Sequence, residues 1–283
     1  MKTAGVIGLG ILGKPVAERL LKAGYRVAVF DVRVEPVTAL AALGAVACKS
    51  PAEVARHSAL IVSLVADQAQ TEAIVSGPGG LLETLQPGAI VAIGSTLAPA
   101  FVRDTARAIA AKGGETLDIP SSGGHLAVYE GTLSIMAGGL PATLERARPA
   151  LSTFANRITL AGDVGAGQAA KLAHQLVFAT NVMALLEGLS LGVAAGVDPT
   201  VMKQLLKAGI ANSSVLQLWQ DLGPRWKDML KATATEGPLP NLRKDLHLVL
   251  DLAKELGVAL PVATEASRTA DTGRAPGHND PRL

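Results

Sequence analysis

The sequence predicts an α/β N-terminal domain built on a doubly wound, largely parallel sheet, followed by an all-α C-terminal domain joined to it by a long helix. Three observations carry this. Up to residue 164, short apolar runs of strand length alternate with amphipathic stretches of helix length, the pattern of a parallel sheet covered on both faces. From Gly167 onward the pattern is purely helical. At the junction, Gly165-Ala166-Gly167 breaks the preceding structure and opens a run of good helix formers that continues through the nearly all-apolar stretch 176–191. The predicted domains are therefore 1–164 and 165–283.

The first elements have the clearest signature. Gly5-Val6-Ile7-Gly8-Leu9-Gly10-Ile11-Leu12-Gly13 is a short apolar run ending in Gly-x-Gly-x-x-Gly. An amphipathic pattern follows through Val16, Leu20 and Leu21 to Gly24, and a second apolar run, Val27-Ala28-Val29-Phe30, ends at Asp31. Strand, glycine turn, helix, strand and acid in this order describe a Rossmann-type dinucleotide site. Gly8 permits the turn, Gly10 lets the backbone approach a pyrophosphate, and Gly13 lets the helix pack closely on the strand, with the helix N-terminus stabilising phosphate charge. Asp31 lies about twenty residues beyond the loop, where a carboxylate binds both ribose hydroxyls and repels a 2′-phosphate. It favours NAD. Arg33 leaves NADP open, because a nearby arginine accommodates the extra phosphate; its alternative reading is a solvated loop residue.

Further strands are predicted at 59–65, 89–93 and 115–119, interleaved with helices such as 37–43 and 99–112, and closing strands at 133–137 and 158–160. After the strand at 115–119 stands Asp118-Ile119-Pro120-Ser121-Ser122-Gly123-Gly124-His125, continuing through Glu130-Gly131-Thr132-Leu133. Ser-Ser-Gly-Gly exposes backbone N–H groups and hydroxyls without side-chain bulk, which suits a carboxylate; alone, it also reads as an ordinary turn. The helical part comprises 167–195, 199–208, 213–222 and 242–256, with 232–241 as a flexible connection. On the first of these helices Lys171, His174 and Gln175 share a face, close enough to act on one small molecule. The apolar stretch behind them predicts a buried helix body, and desolvation near such a body makes a lysine lose its proton more easily, as a proton-transferring lysine must. A lysine snorkelling from a core helix is the plainer alternative.

Together these segments resemble the β-hydroxyacid dehydrogenase family of 3-hydroxyisobutyrate dehydrogenases and tartronate semialdehyde reductases, with 6-phosphogluconate dehydrogenase more distant. Gly8 to Gly13 resembles the family's cofactor fingerprint, and Asp118 to Gly124 with Gly131-Thr132-Leu133 its substrate-binding signature. Gly165-x-Gly167-x-x-x-Lys171 is similar to its catalytic signature, Lys244-Asp245-Leu246 to its late cofactor and substrate segment, and Ser95-Thr96 with Pro99 to the loop near the nicotinamide. The resemblance implies Lys171 as general acid/base, and Ser122, Gly123, Gly124, His174, Gln175 and Lys244 as substrate contacts. It implies a cofactor set of Gly8, Leu9, Gly10, Ile11, Leu12, Gly13, Asp31, Val65, Thr96 and Lys244. It further implies an active site in the cleft between the domains and a homodimer or homotetramer assembled through the helical domain. The sequence departs from the family in three places. Gln175 replaces an asparagine, a longer arm with the same hydrogen-bonding groups. Gly94 stands where an acid often precedes the Ser-Thr pair. The tail after Val262 is short, rich in Gly, Pro and charge, and keeps only a faint echo of the family's ending (Gly277, Asp280), which leaves the last helix open.

Composition fits and limits this reading. At 283 residues the chain is long enough for two domains with proper cores, built mostly from Ala, Val, Leu and Ile because aromatic residues make up only 3%. A net charge of +2, without a basic run or an aromatic-interleaved patch, argues against nucleic acid as a partner. The single cysteine, Cys48, excludes an internal disulfide and fits a reducing cytoplasm. Lys2 before an apolar run mimics a signal peptide, but that run is glycine-rich and meets Lys14-Pro15, so the first strand is the better reading. Glu187 inside the apolar stretch 177–197 argues against a membrane span. No metal site is expected. The expected reaction is reversible NAD-dependent oxidation of a small β-hydroxyacid of the 3-hydroxyisobutyrate, glycerate or threonate type to its semialdehyde or keto acid. In it, neutral Lys171 takes the hydroxyl proton, and His125 and His174 have either a tuning or a structural role. Two alternatives remain: an imine reductase-like enzyme, against which Lys171 argues, and a non-catalytic NAD sensor, which needs the glycines but not Lys171, Ser122 and Gln175 together.

Overall fold

The computed structural model describes residues 2–217 and 240–272. The chain divides into two compact units, Met1–Lys171 and Leu172–Leu283. In the first, the elements are β1 (Thr3–Ile7), α1 (Gly13–Lys22), β2 (Arg26–Phe30), α2 (Val34–Ala42), β3 (Val46–Ala47), α3 (Pro51–His57), β4 (Leu60–Ser63), α4 (Gln68–Ser76) and a single 3-10 turn, Leu81–Glu83. They continue with β5 (Ile90–Ile93), α5 (Pro99–Ala110), β6 (Glu115–Asp118), β7 (Ser121–Ser122), α6 (Gly124–Glu130), β8 (Leu133–Gly138), α7 (Pro141–Leu151) and β9 (Ala155–Gly162). Helix α8 (Ala166–Ala194) begins in this unit and runs on into the second.

One sheet holds all nine strands, in the order β3-β2-β1-β4-β5-β6-β8-β7, with β9 on β8. Strands β1 to β6 are mutually parallel, β8 runs antiparallel to β6 and β7, and β9 lies parallel to β8. The 3-2-1-4-5-6 arrangement reverses direction between β1 and β4, and ligands in such sheets sit outside the carboxyl ends of the strands at that reversal. The central parallel strands β1, β2, β4 and β5 are buried on both faces, which explains why they read as apolar runs rather than as alternating ones. Val6, Val29, Val62 and Ala92 face one core with Val16 and Leu20 of α1; Ile7, Ile61, Val91 and Ile93 face the other with Val54 of α3 and Val102 of α5.

Short elements escape the sequence reading. Helices α3 and α4 are seven and nine residues long, and each is started by a local cap: the Ser50 side chain accepts from the Glu53 amide, and Asp67 from that of Gln70. Helix α7 carries Pro149 in its interior, which obscures its period, whereas β9, predicted only at 158–160, extends over Ala155–Gly162 and is largely exposed. Strand β4 ends at Ser63, two residues before the predicted end, which places Val65 in the loop that follows.

The second unit continues α8 and adds α9 (Pro199–Ala208), a helical stretch at 214–217, α10 (Pro240–Leu256) and α11 (Pro261–Asp271). The remainder of the predicted helix 213–222 and residues 232–239 of the predicted connection lie outside the described residues, as do Gly277 and Asp280; Asn241, predicted within that connection, belongs to α10. The last helix, left open by the sequence, is present: α11 buries Ala263, Ala266 and Ser267. One correction arises here. The body of α8 is not wholly buried, because within its own unit only one stripe is covered. Ala179 and Met183 meet Leu242, Leu246 and Ala266, and Val182, Leu185 and Leu189 meet Val215 and Leu216, while Val177 and Leu191 are 55% and 74% exposed. By length and composition α8 could also cross a membrane.

The glycine turn gives a direct test of this packing. A Cβ on Gly13 would lie 1.7 Å from the Gly8 carbonyl oxygen, whereas one on Gly10 meets nothing within 4 Å. Gly13→Ala is expected to cost about 1–3 kcal/mol, and Gly10→Ala to stay within about 0.5 kcal/mol of the parent. Thermal unfolding of both variants decides; equal stability would mean that α1 does not sit against the turn as described.

Candidate active site

Strand β1 delivers the chain into the turn at Gly8, whose φ is +84° and whose Cβ would come within 2.6 Å of the Leu64 carbonyl oxygen, so only glycine fits. Helix α1 starts at Gly13 with no side-chain cap and no acidic residue in its first turn. Its N-terminal partial charge is thus left for a ligand phosphate. Asp31, just beyond β2, straps the turn: one carboxylate oxygen accepts from the Leu9 amide at 2.6 Å. The other accepts from the Arg33 amide at 2.9 Å and the Arg33 guanidinium at 3.1 Å. Burial pushes the Asp31 carboxyl up, but the bonds from Arg33 and Leu9 outweigh it and hold the group below its ordinary range. Arg33 is therefore an ion-pair partner of Asp31 rather than a simple solvated residue. Open space at Gly10, where an added Cβ meets nothing within 4 Å, an uncapped helix start and an acid just beyond β2 fit a dinucleotide.

The loops after β4 and β5 are tied together. Ser95 Oγ donates to the Val65 carbonyl at 2.6 Å, and the Gly94 amide to Ser63 at 2.8 Å. A Cβ on Gly94 would meet the end of the Leu64 side chain at 2.6 Å, so an acid at this position would need that side chain to move. Thr96 follows in the same loop, on the carboxyl side of β5.

The first turn of α8 is fixed from β6. Asp118 is fully buried; one of its oxygens accepts from the Gly165 amide at 2.8 Å and the other from the Gln168 amide at 2.7 Å. Burial pushes this carboxyl up, while the backbone N–H groups, including that of Gly167, pull it down without cancelling the shift. The fit is tight: a Cβ on Gly138 would lie 2.3 Å from one Asp118 oxygen, and one on Gly167 2.7 Å from the other. Gln168, also fully buried, accepts from the Leu97 amide at 3.0 Å and donates to the Ser95 carbonyl at 2.8 Å. One turn on, Lys171 is 8% exposed, and its Nζ donates to the Ser121 carbonyl at 2.8 Å.

Ser121 and Ser122 pair with Ile135 and Ser134 of β8. Gly123 and Gly124 follow with φ of +127° and +68°, conformations that a side chain rarely adopts, and lead into α6, which carries an exposed His125. Arg19 of α1 holds that region, donating to the Thr153 carbonyl at 2.6 Å and the Tyr129 carbonyl at 3.2 Å. The lysine motif and the Ser-Ser-Gly-Gly motif, about fifty residues apart, thus meet in one place. In the second unit Gln175 donates to Asp245 at 2.6 Å and lies 3.2 Å from His174 Nδ1, and Lys244 pairs with Asp245 at 2.9 Å. Among the described residues, no group of three His, Cys, Asp or Glu side chains could hold a metal ion.

The sequence reading assigned no role to Asp118, Gln168 or Asp245, although all three stand inside the motifs it quoted. For Asp118 and Gln168 the available signal is a polar side chain inside an otherwise apolar or glycine-rich run, which in a buried setting demands a partner; Asp245, in a charged stretch, carries no such signal. Replacing Asp118 with Asn turns one acceptor oxygen into an NH2 group facing a backbone N–H. The expected loss of stability is about 1–3 kcal/mol, read by thermal unfolding. An Asn variant as stable as the parent would remove Asp118 as the cap of α8.

The comparisons with known proteins follow the two units. A family model described as the NAD binding domain of 6-phosphogluconate dehydrogenase matches residues 3–162. A second, described as NAD-binding of NADP-dependent 3-hydroxyisobutyrate dehydrogenase, matches residues 165–281. The chain is 36% identical to 2-hydroxy-3-oxopropionate reductase of Escherichia coli (strain K12), covering 96% of this chain and 91% of the relative. It is 34% identical to 2-(hydroxymethyl)glutarate dehydrogenase of Eubacterium barkeri, over 96% and 89%. Among solved structures, 3-hydroxyisobutyrate dehydrogenase from Salmonella typhimurium superposes with a TM-score of 0.83 at 28% identity, over 96% of this chain and 94% of that one. With both units matched along nearly their whole length, and with a nucleotide turn and a buried lysine built as described, the chain belongs to the β-hydroxyacid dehydrogenase family.

Proposed function

We propose that this chain catalyses reversible, NAD-dependent oxidation of a small β-hydroxyacid, of the 3-hydroxyisobutyrate, glycerate or threonate type, to its semialdehyde or keto acid. The observation that carries the reading is Lys171, nearly buried and held 2.8 Å from the carbonyl of Ser121, beside Ser122, Gly123 and Gly124. Bound NAD supplies the acceptor for the hydride that leaves the carbinol carbon. Lys171 takes the hydroxyl proton in the oxidative direction and returns it in reduction. Ser122 and the amides of Gly123 and Gly124 hold the substrate carboxylate. Gln175, with His174 beside it, would orient the substrate; Thr96 would serve the nicotinamide ribose, and Lys244 the cofactor and substrate. Gly8 to Gly13 and Val65 would line the cofactor, and Asp31 would bind its ribose hydroxyls. Exposed apolar side chains on the helical unit, Val177 and Leu191 with Leu205, support a homo-oligomer formed through that unit. The cytoplasm is its proposed location.

A panel of short hydroxyacids with NAD, read by NADH formation, tests the activity. Lys171→Ala is expected to lower kcat by at least about 10²–10⁴-fold, with NAD affinity and thermal stability close to the parent. Lys171→Arg does not rescue it, because a guanidinium stays protonated. An inactive parent on the whole panel, or a Lys171→Ala variant with normal kcat, contradicts the assignment.

NAD is expected to be preferred over NADP, because Asp31 repels a 2′-phosphate and occupies the Arg33 guanidinium that would otherwise bind it. Asp31→Ser should narrow the preference in kcat/KM. A parent enzyme that favours NADP would show that Arg33 outweighs Asp31.

A further inference from the structure

We infer that Gln168 is a positioning residue: its amide sets the spacing between the β5–α5 loop, residues 95–97, and the turn of α8 that carries Lys171. The inference rests on the reading of Lys171 as the acid/base group. Gln168 has no exposed surface, and its carboxamide bridges two backbone groups of that loop in opposite senses. Oε1 accepts from the Leu97 amide at 3.0 Å, and Nε2 donates to the Ser95 carbonyl at 2.8 Å. Ser95 passes the restraint on, through its hydroxyl, to the Val65 carbonyl after β4. At the other end the Gln168 amide is anchored on Asp118 at 2.7 Å. Lys171 follows three residues later, about 4.5 Å along the helix axis. The loops at the carboxyl ends of β4 and β5 and the lysine are thus referenced to one helical turn.

The choice of glutamine is chemically narrow. Asparagine is one methylene short. Methionine fills the space but leaves a buried N–H and a buried C=O without partners. Glutamate is nearly isosteric, and its protonated form has both a donor and an acceptor, as glutamine does. Its ionised form has no donor and turns a negative oxygen toward the Ser95 carbonyl. Gln168→Glu therefore makes the bridge switchable by pH, which a residue that merely fills space would not do.

The experiment compares the parent, Gln168→Met and Gln168→Glu in three measurements. These are kcat with the best hydroxyacid of the panel from pH 6 to pH 9, the thermal unfolding midpoint, and the hydrogen-exchange protection factor of the Leu97 amide in the protein without cofactor. A small misplacement of reacting groups costs up to about 10²-fold, so kcat of Gln168→Met is expected to fall about 10- to 100-fold, with KM changed less than about threefold. The ratio of Gln168→Glu to parent kcat should rise as the pH falls, and Leu97 protection should fall in Gln168→Met and, in Gln168→Glu, recover toward acid. If Gln168→Met does not fold, the pH dependence of Gln168→Glu decides. A ratio that stays flat with pH, or folded variants with kcat within about twofold of an active parent, overturns the inference while leaving Lys171 in its role. A parent inactive on the whole panel defeats the functional reading itself.

Discussion

A buried carboxyl group at the end of a β-strand organises the chemistry-bearing part of this protein. The first amides of an α-helix have no partner within the helix, and a helix that starts inside the fold must find one elsewhere. For α8 the partner is Asp118, whose two oxygens accept from Gly165 and Gln168. Burying a carboxyl is costly on its own, and the group shows it in a carboxyl pushed upward. Pairing it with orphan helix amides satisfies two unfavourable sets of groups at once. The geometry leaves no room for error. Gly138 and Gly167 lie against the carboxyl so closely that any side chain there would displace it.

From that cap the rest of the site follows by helical geometry. The turn that holds Gly165 and Gln168 also sets where Gln168 reaches the β5–α5 loop and where Lys171 reaches Ser121. The sheet contributes the other half. Its direction reverses between β1 and β4, and the loops after β1, β4, β5 and β6 all open on the same side, at the carboxyl ends of their strands. Glycine turn, β5–α5 loop, lysine and Ser-Ser-Gly-Gly loop are therefore neighbours because of strand order, although they are spread over about 160 residues.

The part of this that the sequence discloses is the part with local signals. Gly8, Gly10, Gly13 and Asp31 announce themselves because a turn, a close approach and an acid at a strand end are short-range requirements. The Lys171 face is legible because helical spacing is short-range as well. The Asp118 cap is not, since it joins residues nearly fifty positions apart; each end reads only as a polar residue beside glycines. Helix α3 escapes because seven residues hold too few turns for a period, α4 because its apolar residues form no clear stripe, and α7 because Pro149 obscures its pattern. The long apolar run in α8 misleads for the opposite reason. Composition alone suggests burial all round, whereas the neighbours within its unit cover only the stripe through Ala179, Val182, Met183 and Leu189.

The most direct measurement of the central claim is native-state hydrogen exchange at the start of α8. Amides in the first turn of a helix ordinarily exchange fast, since nothing within the helix holds them. If Asp118 caps α8 as described, the Gly165 and Gln168 amides are protected to the level of β5 and β6, because releasing them requires opening the sheet around a buried carboxyl. Fast exchange at these two amides, with β5 and β6 still protected, would contradict the account: the first turn of α8 would then be free of the sheet, and Lys171 would have no fixed position.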